Sequence, residues 1–216
     1  MPGLPPEVHE TVSAILERGV TELGLKCPQS SREQLITQLE LLLKWNRSFN
    51  LTAITEPEQI VTHHILDSLS VVPWIRGGQV IDVGTGAGYP GLPLAMTLPD
   101  IHVTLLDSRG KKIRFVDTVI RTTRLTNAVT VHGRVEDFRP EVKFDTLVAR
   151  AFASLADIIQ LGAHLVKPGG RIVALKGEYP IAELNTARAS FEYGFDCQSV
   201  QVPGINAERH IVTVSV

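Results

Sequence analysis

The chain has 216 residues, 44% of them hydrophobic and 20% charged, with a formal net charge of −2. This predicts a globular protein, excludes a disordered one, and offers no global positive field for nucleic acid. No apolar run reaches the roughly 18 residues of a membrane-spanning helix, and Met-Pro-Gly-Leu-Pro-Pro-Glu at the start has neither the basic nor the apolar region of a signal peptide. Cys27 and Cys197 lie far apart, which suggests a reduced cytosolic protein without a disulfide framework or a cysteine metal site.

Over residues 7–25, Val12, Ile15, Leu16, Val20 and Leu23 recur at helical spacing. Ser31 with Gln34 has the form of a capping box ahead of Leu35, Ile36, Leu39, Leu42 and Leu43. Thr55, Pro57 and Glu58 announce a third helix in the same way, carrying Ile60, Ile65, Leu66 and Leu69. Residues 1–76 are thus expected to form a helical extension packed on a core of residues 77–216. His63 and Asp67, four apart on the third helix, could form a metal pair, but a partly buried hydrogen-bonded histidine is the favoured expectation.

From Gln79 onward strands and helices alternate, which predicts an α/β fold with a parallel sheet covered on both faces. Strands are expected near 79–83, 102–107, 128–132, 144–149 and 171–176, and helices near 90–98, 109–124 and 154–166. Residues 195–202 and 209–216 form two further strands whose short connection requires antiparallel pairing. An alternating five-strand core closed by an antiparallel C-terminal pair has the layout of the Rossmann-like class I S-adenosylmethionine-dependent methyltransferases. A ligand is then expected at the carboxyl ends of the strands, where the topology reverses.

The central stretch is Gln79–Pro93, QVIDVGTGAGYPGLP. Val80, Ile81 and Val83 favour a buried strand. Gly84, Gly86 and Gly88 then give a bare turn open to a ligand, and Pro90 and Pro93 suit the first turn of a helix. The frame from Gly86 to Gly91 spells a dinucleotide fingerprint, with Asp107 at a distance that suits a ribose contact. The frame starting at Asp82 fits better. Its carboxylate would oppose a pyrophosphate but attract a methionine-type ammonium, which resembles the first motif of the S-adenosylmethionine-dependent methyltransferases. Asp107 ends the next strand, where it would accept ribose hydroxyls or cap the following helix. Gly133-Arg134-Val135-Glu136-Asp137 follows the third strand and could read an adenine edge or simply start a helix.

No thiolate stands at a strand end, and Asp145-Thr-Leu-Val-Ala-Arg150-Ala-Phe152 is not the Asn/Asp-Pro-Pro-aromatic loop of exocyclic-amine methylation. This elimination favours a ring nitrogen such as guanine N7, whose lone pair needs no general base. Arg150 closes the fourth strand and could grip guanine or a carboxylate, or form a structural ion pair. Arg109, Lys111, Lys112 and Arg114 crowd a helix start against its dipole, which suggests phosphate contacts, although a solvated basic face is the commoner reason for such a run. Lys176 and Arg209-His210 add charge at the ends of late strands.

The words WNRSFNLT (45–52), HHILDSLS (63–70), DVGTGAGYPG (82–91), LLDS (105–108), KKIRF (111–115), ARAFASL (149–155), ALKG (174–177) and ERH (208–210) occur in this order. Together they closely resemble the bacterial small-subunit ribosomal RNA guanine-N7 methyltransferases, from about Ser31 onward. The resemblance implies a cytoplasmic enzyme that transfers a methyl group from S-adenosyl-L-methionine, releasing S-adenosyl-L-homocysteine, to N7 of one guanine in 16S rRNA or the small ribosomal subunit. The residues themselves lead to the expectation of no metal, no membrane, no protein nucleophile and no obligatory base, and a monomer is expected. The cofactor residues that the resemblance transfers are Gly84, Tyr89, Val135, Glu136 and Arg150, to which the reading of the residues adds Gly86 and Asp107. Tyr89 and Val135 would act through their backbones. Arg109, Lys111, Lys112, Arg114, Lys176 and Arg209 are the candidates for RNA. Trp45, Asn46, Asn50 and His63 could touch RNA too, and helix packing explains them equally.

Overall fold

The computed structural model describes residues 3–216. Helices α1 (Pro6–Glu22) and α2 (Gln29–Phe49) lead into a third helical segment with three parts: α3 (Pro57–Ile60), a π turn (Val61–Leu66) and α4 (Asp67–Leu69). Then follow β1 (Gln79–Val83), α5 (Gly91–Thr97), β2 (His102–Asp107), α6 (Gly110–Thr123), β3 (Ala128–His132) and β4 (Phe144–Arg150). The chain closes with α7 (Leu155–Gly162), β5 (Val166–Lys176), α8 (Ile181–Ser190), β6 (Gly194–Ser199) and β7 (His210–Ser215). The strands form one sheet in the order β3-β2-β1-β4-β5-β7-β6. Pairing is parallel from β3 to β5 and antiparallel where β7 meets β5 and β6, as the short C-terminal connection requires.

Strand side chains alternate between faces, and each face feeds its own apolar layer. Val80, Leu105, Val148 and Val173 share a buried cluster with Val12, Leu16, Leu35 and Leu39 of the N-terminal helices. Ile81, Leu106, Leu147 and Ile172 point to the other side, against Leu155, Ile159 and Leu184 of α7 and α8. Each such leucine or isoleucine contributes roughly 1.5–3 kcal/mol of burial. The N-terminal helices are also tied down by polar contacts. The Gln34 amide donates to Thr123 O at the end of α6, and that of the fully buried Gln38 donates to Ala87 O beside the glycine turn.

Neither expected capping box forms. Helix α2 starts at Gln29, before Ser31, so Ser31 is an interior helical residue and Gln34 serves α6 instead. At α3, Glu56 takes the cap position without a side-chain bond, and Pro57 and the acidic Glu58 in the first turn support the start. Trp45, Asn46 and Asn50 have packing roles. Trp45 lies 5.6 Å from the Phe115 ring, Asn46 Oδ1 accepts from the N–H groups of Leu51 and Thr52, and Asn50 closes α2 at φ +46°.

Candidate functional site

The carboxyl ends of β1, β2 and β4 converge where the strand order reverses, and a cleft with two adjoining lobes opens there. The larger lobe, about 590 Å³, lies between the glycine turn, the ends of β4 and β5, and residues 51–67 of the helical extension. The smaller, about 460 Å³, lies between β2, the 133–136 turn and Phe152. Gly84, Lys112 and Ala151 border both.

The glycine turn is fastened from beneath. Gly84 and Thr85 donate their N–H groups to Leu106 O, Gly86 donates to Asp107 Oδ2, and Gly88 and Tyr89 donate to Thr85 O. These five amides are therefore committed, so the turn is not the open N–H cradle that a pyrophosphate requires. Asp82 differs from expectation too. It is fully buried and does not line the cleft; its Oδ2 accepts from Thr85 Oγ1 at 2.6 Å and from Gly91 N at 2.8 Å. Its work is to hold the two ends of the turn together, and burial raises its pKa to about 6.

Gly84, at φ +67°, has Phe152 pressed against it, and a Cβ here would stand 2.2 Å from the ring. Asp107 is nearly buried at the wall of the smaller lobe and accepts from Arg109 N at 2.8 Å besides Gly86, with Lys112 Nζ 3.9 Å away. It thus ties the residue ahead of α6 to the glycine turn without capping the helix, and each carboxylate oxygen retains a lone pair. Val135 and Glu136 border the same lobe. Glu136 is exposed beside Arg134 at 3.4 Å, and its own backbone N–H holds its carboxyl below the usual range.

Arg150 enters the larger lobe and is already heavily engaged. Nη1 donates to His63 O at 2.9 Å and to Asp67 Oδ2 at 3.0 Å, Nη2 lies 3.3 Å from His64 Nδ1, and the guanidinium sits 5.3 Å from the Tyr89 ring centre. The π turn supplies the His63 carbonyl, and such turns release carbonyls from the regular ladder. His64 stacks on Tyr89 at 4.9 Å and meets Thr52 Oγ1 at 2.8 Å through Nε2. Burial, then the Arg150 charge, lower its pKa to about 4, so the ring is neutral near pH 7. The Tyr89 hydroxyl is buried without a hydrogen-bond partner, and burial pushes its pKa up. What Tyr89 offers the lobe is therefore ring and backbone.

The seven expected cofactor residues all border this cleft: Gly84, Gly86, Tyr89 and Arg150 in the larger lobe, and Gly84, Asp107, Val135 and Glu136 in the smaller. The basic residues separate. Lys112, Lys176 and Arg209 line the larger lobe and Arg109 the smaller, whereas Lys111 and Arg114 are exposed on α6 outside both. Lys111 Nζ donates to Phe49 O at the end of α2. Lys176 donates to Ala153 O and, at 2.7 Å, to Glu183. Asp67 turns to Arg150 and Arg209. Sequence reading missed Thr52 and Phe152 as site residues, and saw Asp67 only as a neighbour of His63.

The family model for rRNA small subunit methyltransferase G matches residues 31–212. The chain is 46% identical to a protein named ribosomal RNA small subunit methyltransferase G from Nitrosococcus oceani, covering 92% of each chain. It is 41% identical to one so named from Coxiella burnetii, covering 92% of this chain and 96% of that one. In fold it is similar to an S-adenosylmethionine-dependent methyltransferase from Aquifex aeolicus (TM-score 0.59, 15% identity, 77% of this chain and 97% of that one). It is also similar to magnesium protoporphyrin IX methyltransferase from Synechocystis PCC 6803 with bound cofactor (TM-score 0.60, 14% identity, 83% and 97%). The sheet is thus that of the class I methyltransferases, and the chain belongs to the rRNA small subunit methyltransferase G family.

Proposed function

We propose that the protein methylates N7 of a guanine in small-subunit (16S) ribosomal RNA, using S-adenosyl-L-methionine and releasing S-adenosyl-L-homocysteine. The observation that carries this is the two-lobed cleft at the strand reversal, with Arg150 in the larger lobe, Asp107 and Glu136 in the smaller and Gly84 between them. Adenosine belongs in the smaller lobe, with its ribose hydroxyls on the remaining lone pairs of Asp107 and its base along Val135 and Glu136. The methionine portion belongs at Gly84 and Gly86, where a Cβ is missing. The five committed amides of the turn favour this occupant over a dinucleotide.

When bound, the cofactor supplies a methyl group on a sulfonium, and its transfer is an in-line displacement in which alignment is the main requirement. Guanine N7 attacks with its own lone pair, so no residue must remove a proton first. The polar groups around Arg150 suit that demand: His64 is neutral and held at both ring nitrogens, Asp67 is shared by two arginines, and Lys176 is paired with Glu183. They give a fixed, net positive wall that suits an electron-rich purine edge and its phosphate. Arg209, Lys112 and Arg109 extend that positive character along the cleft, and Arg114 and Lys111 continue it on α6. In this reading the protein is a monomer working in the cytoplasm. The test is incubation with labelled S-adenosylmethionine and small-subunit RNA from cells lacking the gene, followed by nucleoside analysis. Label in 7-methylguanosine is expected, and label in another nucleoside, or none, would refute the assignment.

A further inference from the structure

Single exposed apolar side chains are ordinary on a protein surface, so only their chemistry and setting can single one out. Among the described residues the large apolar side chains left exposed are Phe49, Val129, Val142, Tyr179 and Ile181. Only two are aromatic, and each lies two residues in sequence from one that lines the larger lobe. Phe49 precedes Leu51 and Thr52 of its wall but leans on Trp45, with ring centres 5.2 Å apart. Tyr179 has a different setting. It lies two residues beyond Gly177, which with Lys176 lines the lobe, and it is 46% exposed.

Its ring is nevertheless held. Lys176 of β5 pairs in register with His210 of β7, and Tyr179 packs edge-to-face on the His210 ring at 5.4 Å. His210 is itself buried and fixed, its Nδ1 meeting Gly177 O at 2.8 Å. Arg209, the preceding residue, faces the lobe and is anchored by Asp67. A half-exposed aromatic ring is thus held against His210, the residue after Arg209 and the register partner of Lys176, and both of those cations line the lobe. Proteins take hold of unpaired nucleobases with this combination of an exposed aromatic ring and nearby positive charge.

We propose that Tyr179 is a stacking platform for a nucleobase of the RNA at the mouth of the larger lobe, holding the strand while the target guanine enters. The proposal rests on the assignment of RNA as the substrate. The π-face does the work, and the hydroxyl has no part in it.

The experiment compares wild type with Tyr179→Phe, Tyr179→Leu and Tyr179→Ala in steady-state methyl transfer to deproteinised small-subunit RNA, varying RNA and cofactor separately. Stacking predicts that Ala raises KM for RNA roughly tenfold or more, with kcat and the cofactor KM little changed. Phe should behave as wild type, and Leu should fall close to Ala. An Ala variant with the wild-type KM for RNA overturns the proposal, as does a Leu variant that restores KM as fully as Phe, since that would mean apolar packing or contact with a protein. A wild-type enzyme that transfers nothing to RNA overturns the substrate assignment and this proposal with it, and is distinguishable because it fails before any substitution is made.

Discussion

Asp67 and Arg150 meet at 3.0 Å across the larger lobe, and the second oxygen of the same carboxylate takes Arg209 at 3.0 Å. One nearly buried acid from the N-terminal helices thus orients two arginines, one from the middle of the core sequence and one from near its C-terminal end. Removing it leaves two cations crowded in a partly desolvated wall, and breaking a buried pair costs about 3–5 kcal/mol; partial exposure of both arginines places this one lower, at about 2–3 kcal/mol. Asp67→Ala is expected to lose that much in chemical denaturation and to lower methyl transfer more than tenfold. Asp67→Glu should recover part of both. Wild-type transfer by the Ala variant would show that the arginines need no such anchor.

The glycine turn predicts a graded pair of substitutions. Gly84→Ala meets both a positive φ and the Phe152 ring, whereas Gly86→Ala, at φ +61°, has nothing nearer than Lys112 Nζ at 3.5 Å. Backbone strain alone costs about 1–2 kcal/mol, so Gly86→Ala should lose about that much and Gly84→Ala clearly more. Denaturation together with calorimetric titration of S-adenosylhomocysteine checks both, and Gly84→Ala should be the weaker binder.

Two buried groups make opposite contributions to acid stability. His64 has its pKa lowered from 6.5 to about 4, so its contribution is complete above pH 6.5 and is lost as pH falls toward 4. Asp82 has its pKa raised from 3.8 to about 6, so its contribution is present at low pH and is lost as pH rises through about 6. Between about pH 7 and 4.5 each changes stability by about 2 kcal/mol, in opposite directions. His64→Gln should therefore lose less stability than wild type on acidification over that window, and Asp82→Asn should lose more. Urea denaturation at the two pH values reads both differences, and parallel behaviour of the two variants would contradict the assignment.

The basic residues of α6 should divide by function. Lys112, between the lobes and beside Asp107, should weaken S-adenosylhomocysteine binding when changed to Ala. Arg114→Ala should leave that binding intact and reduce the salt dependence of RNA binding, by about 0.7 in the log–log slope for a contact to a single strand. Lys111→Ala should do least, because its ammonium already serves the end of α2.

Much of the fold was legible because its signals are local. β1, β2 and β3 fall where runs such as Val80-Ile81 and Val103-Thr104-Leu105-Leu106 place them, and the short C-terminal loop dictated antiparallel pairing. Helix α8 escaped notice because its buried residues are only Leu184 and Ala187, too few to make an apolar stripe. β5 reaches back to Val166, through Pro168-Gly169-Gly170, because Val166 pairs with Phe144 across an irregular register that composition does not reveal. In the site, Gly84 and Asp107 were readable from a turn and a strand end. The partner of Arg150 was not, since Asp67 lies 83 positions away and only the folded chain brings them together. The π turn that aims the His63 carbonyl likewise has no sequence mark of its own.

The most direct test of the central claim uses the chemistry of the modified base. Reduction and aniline treatment cleave RNA chains at 7-methylguanosine. Small-subunit RNA from cells lacking the gene, treated with this protein and S-adenosylmethionine, should acquire one new cleavage position that is missing when the cofactor is left out. Methyl transfer into that RNA without any new cleavage would mean that the group lands on another atom, and the assignment of guanine N7 would be wrong.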